Sequence, residues 1–200
     1  MSDFKLVCVD IETNGLSLDD NVLAISLRAL NDDGTPTVQE FYSLIRNTQP
    51  LNPDSFAVNG ITREQLSEAP TKDEVLFAIN AWHMKNFYGL KLSPIGHNFL
   101  GFDKPRAEKL LGRAYNNLFD YHSDDSMVIA QALQRAGLLP VKSCSLKNLA
   151  AFFDVPCTGI HTASADTYIC GMVYSKLLKI ITPSFTTRVI RVFNRNYLGV

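Results

Sequence analysis

The stretch Lys5-Leu6-Val7-Cys8-Val9 is a short apolar run that leads straight into two acids, Asp10 and Glu12. Such a run predicts a buried strand ending at Asp10. Alternate residues of a strand point to one face, so both carboxylates project together, roughly 7 Å apart by strand rise. Two acids at the end of a buried strand repel each other and resist desolvation. A divalent cation resolves that conflict, and hard carboxylate oxygens suit Mg²⁺ or Mn²⁺ rather than zinc. The alternative is a pair of solvated acids at a strand edge.

What surrounds this strand is an α/β pattern. Val22–Leu30 and Val38–Ile45 have strand composition and flank Asn31-Asp32-Asp33-Gly34, a turn signal, so the first three strands form an antiparallel meander. Asn47 to Asn59 holds two prolines and little periodicity, which predicts a loop. Thr62 with Gln65, and Thr71 with Glu74, each carry a helix-start signature. The second of these opens a helix to Phe87 with Val75, Ile79 and Trp82 turned inward. Leu92–Ile95 is a fourth strand. Phe102–Tyr115 is a helix that Asp103 could cap, with Pro105 in its first turn. Ser126–Gly137, Ser145–Phe153 and Ala165–Ile180 complete the helices. A mixed central sheet flanked by helices follows.

At 46% hydrophobic content, 200 residues suit one domain with a sizeable core. No stretch reaches the ~18 apolar residues of a membrane helix. Met1-Ser2-Asp3-Phe4-Lys5 lacks a signal-peptide pattern, so a cytoplasmic protein without membrane partners is expected. Cys8, Cys144, Cys157 and Cys170 are scattered and read as small apolar residues. Through Asp166 the chain holds 14 basic and 20 acidic residues; beyond it come Lys176, Lys179, Arg188, Arg191 and Arg195 with no acid. That basic end either touches a polyanion or is a solvated helix end favoured by the helix dipole.

Three ordered segments then acquire a common meaning. Asp10-Ile11-Glu12-Thr13-Asn14-Gly15-Leu16 resembles the first motif of the DEDDh, or DnaQ-like, exonucleases of the ribonuclease H-like superfamily. Gly96-His97-Asn98-Phe99-Leu100-Gly101-Phe102-Asp103 resembles the second motif, and His161-Thr162-Ala163-Ser164-Ala165-Asp166 the third. Val58-Asn59-Gly60-Ile61-Thr62 is similar to a family turn, with Asn59 where histidine is usual. The resemblance covers about residues 5 to 178. One departure is the four-residue gap between Asn98 and Asp103, which is three in the proofreading subunits. The longer gap looks more like family B polymerase exonuclease domains and oligoribonuclease, and it leaves DNA and RNA both open.

The resemblance implies a ribonuclease H-like sheet of about five strands in residues 1–180, followed by a basic extension, 181–200. It also implies that Asp10, Glu12, Asp103 and Asp166 organise two Mg²⁺ or Mn²⁺ ions, Asp103 mainly through water. His161 would be the general base, and 3′ ends of single-stranded DNA or RNA would lose 5′-mononucleotides. Thr13, Asn14, Gly15 and Leu16 would meet the terminal nucleotide, with Leu16 wedged against the last bases. His97 and Asn98 would lie near it, although a structural role is the alternative for this pair. Phe99 or Phe102 would add stacking, core packing being the alternative for Phe102. Residues five apart on a helix lie about 140° around its axis, so Asp166 belongs to the last helix and His161 to the loop before it. His83 and His122 read as surface residues, and Asp124 and Asp125 as helix caps. Helix capping by Asp103 and a surface position for His161 remain the bland readings.

Rival functions are an exoribonuclease of the oligoribonuclease or RNase T type and a catalytically silent nucleic-acid-binding module. A general base alongside four acids argues against silence. The arginine-bearing tail, Phe185 to Arg195, suggests contact with nucleic acid or a polymerase.

Overall fold

A computed structural model describes residues 5–157 and 162–182. Its sheet is built on β1 (Lys5–Thr13), which lies between β2 (Val22–Leu30), antiparallel, and β4 (Leu92–Gly96), parallel. β3 (Pro36–Leu44) extends the meander beyond β2, and the two-residue β5 (Asp124–Asp125) pairs with β4, giving the order β3-β2-β1-β4-β5 among the described residues. The mixed five-stranded sheet is thus as expected. The turn after β2 closes with Gly34 at φ 83°, a left-handed conformation that glycine adopts without penalty.

The alternation of β1 divides its residues between two helix layers. Val7, Val9 and Ile11 enter the main core with Val75, Ile79 and Phe87 of α3 (Lys72–Phe87) and Ala107 and Leu110 of α4 (Asp103–Leu111). Leu6 and Cys8 face the other way, onto Cys170 and Tyr174 of α8 (Ala163–Ile181). Beneath α8 lie α6 (Ser126–Arg135) and α7 (Leu146–Phe152), which share a second core with Ile169, Val173 and Leu177. Asp10 and Glu12 continue the Leu6–Cys8 face. They therefore point at the start of α8, where the apolar packing runs out.

Several local expectations are corrected. Asn47–Asn59 is not all loop: Asn52 caps α1 (Pro53–Asn59), with Pro53 at the first helical position, where its missing N–H is not needed. The helix expected over Phe102–Tyr115 breaks at Gly112, φ 54°, into α4 and α5 (Arg113–Leu118). His83 is buried, because Val75, Ile79, His83 and Phe87 form one inward stripe of α3, and its Nε2 lies 2.7 Å from the Leu90 carbonyl. His122 is exposed, as expected. Of the two acids before α6, only Asp125 is a cap, accepting from Met127 and Val128 N–H; Asp124 instead accepts from the Tyr174 hydroxyl. Both capping boxes form, at the head of α2 (Arg63–Glu68) and of α3. All four cysteines are free, three of them buried. No helix among the described residues is long and apolar enough to cross a membrane. The tail beyond Thr182 lies outside the described residues.

Gly96 ends β4 in close packing beside the site. A Cβ there would stand 2.8 Å from Phe99 Cβ and 3.0 Å from the Val9 carbonyl oxygen. Neither atom is the free end of a flexible chain. Gly96→Ala should therefore cost about 1–3 kcal/mol through overpacking, read as a lower urea midpoint. A midpoint equal to that of the unaltered protein would refute this packing.

Candidate active site

β1 delivers Asp10 and Glu12, and a register shift between Glu12 and Thr13 ends the regular pairing there. Across from them, Asp166, Cys170 and Tyr174 recur every four residues along α8, so they share one stripe. Cys170 and Tyr174 pack on Cys8, and Asp166, one turn nearer the helix start, reaches the acids. One carboxylate oxygen from each of Asp10, Glu12 and Asp166 lies within 4.8 Å of the others. Thr162 caps α8, and Asp166 sits in its first turn, where the helix dipole favours negative charge. The placement of Asp166 in the last helix is as expected; His161 lies outside the described residues.

α8 is held against the meander by polar contacts close to Asp166. Arg28 on β2 pairs with Glu40 on β3 at 2.8 Å and donates to the Ser164 carbonyl at 3.3 Å. Ser26 and Thr167 hydroxyls meet at 3.0 Å, fully buried. Arg28, Glu40, Ser26 and Thr167 carry no motif signal in the sequence.

Asp103 does not cap α4; no side chain does. It is buried, 3% exposed, and accepts the Ile11 N–H at 3.0 Å. That bond ties the fourth acid to the strand carrying the first two. Burial pushes Asp10 well above the usual carboxylate range, with the charges of Asp103, Glu12 and Asp166 adding. Burial raises Asp103 too, opposed by the Ile11 N–H and by Arg106. Glu12 is pushed up to about 7 by burial and by Asp166, with a hydrogen bond from Asn59 pulling the other way. Crowded, desolvated carboxylates of this kind are a donor set for a hard divalent cation, and any of the three oxygens could contribute.

The turn after β1 is strapped on two sides. Thr13 is buried; its hydroxyl donates to the Gly15 carbonyl at 2.6 Å, and its own carbonyl accepts from the Ser55 hydroxyl and the Asn59 amide. Asn14 bonds the Pro50 carbonyl and the Asn52 N–H, each at 2.9 Å. From the other side Arg106, 4% exposed, donates to the Leu16 carbonyl at 2.6 Å and stacks over Phe102 at 3.6 Å. Leu16 is left 87% exposed. Beside it opens a cleft of about 440 Å³ lined by Glu12, Thr13, Leu16, Ser55, Asn59 and Phe102.

Of the two stacking candidates the structure leaves one. Phe99 is wholly buried in the main core and has no free face for stacking. Phe102, for which core packing was the alternative, is half-buried and lines the cleft. His97 Nδ1 lies 2.9 Å from the Ser126 hydroxyl, and burial lowers its pKa. Asn98 is exposed at φ 63°. Asp125 fixes this second-motif turn by accepting from Asn98 and Leu100 N–H, both at 3.1 Å. Ser55, Arg106 and Asp125 were missed as parts of the site, because each acts through partners distant in sequence.

Residues 7–174 match a family model described as exonuclease, of RNase T type. Over 181 residues, 90% of the chain, it is 26% identical to the PolC-type DNA polymerase III of Bacillus cereus. Against the Bacillus subtilis counterpart it is 27% identical over 174 residues, 86% of the chain. The chain spans only 12% and 11% of these polymerases. Among solved structures, the zinc-bound E. coli exonuclease I–single-stranded DNA complex superposes with a TM-score of 0.73 at 16% identity, covering 99% of this chain and 45% of that one. Cell-death related nuclease 4 superposes at 0.69 with 14% identity, covering 89% of this chain and 65% of that one. At these identities the structural likeness speaks for the fold.

The crowded acids fix a pH dependence. A carboxyl raised from 4.5 to about 7 in the folded state stabilises the fold fully below its unfolded pKa and ceases to do so as pH rises through the folded one. The metal-free protein should therefore melt at progressively lower temperature from about pH 5 to pH 8. Mg²⁺ or Mn²⁺ should raise the melting temperature more at pH 8 than at pH 5, since protons and cations compete for the same oxygens. A flat profile with no effect of either ion would exclude the arrangement.

Proposed function

This chain belongs to the exonuclease family of RNase T type, and from that premise we propose that it removes nucleotides singly from the 3′ end of single-stranded DNA or RNA. The observation that carries the reading is the meeting of Asp10, Glu12 and Asp166 oxygens within 4.8 Å, beside a cleft rimmed by an exposed leucine. Asp10, Glu12 and Asp166 hold divalent cations, Mg²⁺ or Mn²⁺, and Asp103 completes the set while tethered to the Ile11 N–H. Two such ions, when bound, supply polarisation of the attacking water and charge stabilisation of the departing 3′ oxygen.

The chain's own groups account for binding and proton transfer. Leu16 inserts against the terminal base, and Phe102 offers the stacking face, which tolerates any base. Backbone groups of Thr13, Asn14 and Gly15, fixed by Ser55, Asn59 and Arg106, meet the terminal sugar; His97 and Asn98 border the same region. His161 takes the proton from the attacking water. The products are a 5′-mononucleotide and a strand one unit shorter. Exonuclease I has been solved with dT13 and dA16 oligonucleotides, which supports a single-stranded substrate here. A cytoplasmic setting fits four unpaired cysteines. The basic tail is proposed to contact the strand or a polymerase, in line with the similarity to polymerase chains.

End-labelled single strands and duplexes of DNA and RNA, incubated with Mg²⁺, Mn²⁺ or EDTA, test the reading. A 5′ label should yield a ladder shortening by single nucleotides, and Asp10→Ala should abolish it. His161→Ala should slow cleavage by about 10²–10⁴-fold. Internal cuts, or activity persisting in EDTA, would overturn the proposal. Truncation after Thr182 should weaken strand binding most at low salt; affinity unchanged across salt would remove the tail from nucleic-acid contact.

A further inference from the structure

On the other side of the turn that carries Leu16 lies a second cavity, of about 280 Å³, lined among others by Arg46, Asn47, Lys72, Arg106 and Lys109. We propose that it is a phosphate-accepting subsite. The evidence begins with two buried donors. Asn47 is 6% exposed, and its Oδ1 accepts from the Asn21 side-chain amide at 2.9 Å and from the Gln49 N–H at 3.1 Å. A reversed amide would turn its NH₂ towards the Gln49 backbone N–H, which can only donate, and this sets the orientation. That leaves Nδ2 as the outstanding group, and it has no acceptor among the described residues. Arg106 commits Nη1 to the Phe102 carbonyl and Nη2 to those of Leu16 and Ser17, while its buried Nε–H likewise lacks an acceptor.

The charge around these donors selects the ligand. Lys72 and Arg46 are exposed at the cavity, with Lys109 partly engaged by Asp19 at 3.2 Å. The acid in the lining, Asp20, turns Oδ2 to the Ser17 N–H at 2.8 Å, and Glu74, close to Arg46, is bonded to Thr71. An apolar or neutral ligand would leave the donors or the cations unanswered. A phosphate offers several acceptor oxygens and negative charge together, which charge-assisted hydrogen bonds reward. Arg106 also grips the carbonyl of Leu16, so the cavity backs directly onto the active cleft. Resting on the proposed exonuclease reading, the occupant is a phosphate of the same strand, upstream of the bond being cut.

Two substitutions test this. Lys72→Glu lies in the first helical turn of α3, where an acid is tolerated by the dipole; Asn47→Asp keeps the shape and replaces the free donor by an acceptor. Melting temperatures establish that both fold. With strands of about two and about eight nucleotides, both variants should raise KM by roughly tenfold more for the longer strand. Lys72→Glu should also reduce the salt slope of binding by about 0.7, the value for one phosphate contact on a single strand. Inorganic phosphate raising the melting temperature of the unaltered protein, and not of Asn47→Asp, would identify free phosphate as an occupant too; the length-dependent KM alone identifies the strand. Equal KM ratios at both lengths, an unchanged salt slope and no response to phosphate would mean that only water enters, and would overturn the subsite. An unaltered protein that cleaves neither strand would instead defeat the exonuclease reading.

Discussion

Carboxylates within 4.8 Å of one another are held together against their own repulsion and against the loss of water, and the rest of the architecture supplies that restraint. Burial first, and then like charges so close, raise the pKa of a carboxyl, as at Asp10 and Glu12. A chain free to relax would separate them. Here Asp10 and Glu12 are fixed by their pairing with Ser26 and Ala24 of β2, and Asp166 by a helix whose apolar stripe is buried on the same strand face. The acids are thus the continuation of a hydrophobic contact. Leu6 and Cys8 pack on Cys170 and Tyr174; one step further along both elements, the same geometry brings charge against charge.

The polar contacts around α8 act in the same direction. The Arg28–Glu40 pair has side chains only 11% and 22% exposed, and such a pair is a poor source of net stability once desolvation is counted. Its geometry explains its presence better than its energy does. Arg28 reaches from the sheet to the Ser164 carbonyl, two residues before Asp166, and Ser26 meets Thr167, one residue after. Together they fix where the first turn of α8 stands over β1. Asp103 is controlled from the opposite layer, through the Ile11 N–H, so both faces of the sheet contribute to one site.

Much of this was legible in the sequence because it depends on local signals. Apolar periodicity, the capping residues Thr62 and Thr71, and the turn at Asn31–Gly34 placed most of the elements to within a few residues, though not α1, β5 or the break at Gly112. The 140° angle between positions five apart put Asp166 on the last helix. What failed depended on context. Phe99 and Phe102 have the same side chain, and only the position of the turn after β4 decides which enters the core and which borders the cleft. His83 was misread because a polar residue type outweighed its place on the inward stripe of α3. The strapping of Thr13 by Ser55 and Asn59 and of Leu16 by Arg106 joins segments some 40 to 90 residues apart, and no spacing rule reveals such pairings.

The Leu16 turn shows how these long-range contacts bear on function. A leucine 87% exposed would ordinarily be withdrawn or mobile, since exposed apolar surface gains nothing from order. Here its backbone is immobilised instead. From one side α1 grips Thr13, and the segment leading into α1, Pro50 and Asn52, grips Asn14, while Arg106 grips the Leu16 and Ser17 carbonyls from the other. Arg106 itself rises from α4, one turn beyond Asp103, so the same short helix aligns an acid with β1 and holds the projecting side chain beside it. Fixing the two together sets the distance from whatever Leu16 touches to the carboxylates. A group bound at the leucine would be presented to the acids in one register, with the ordering of the turn completed during folding rather than at each encounter.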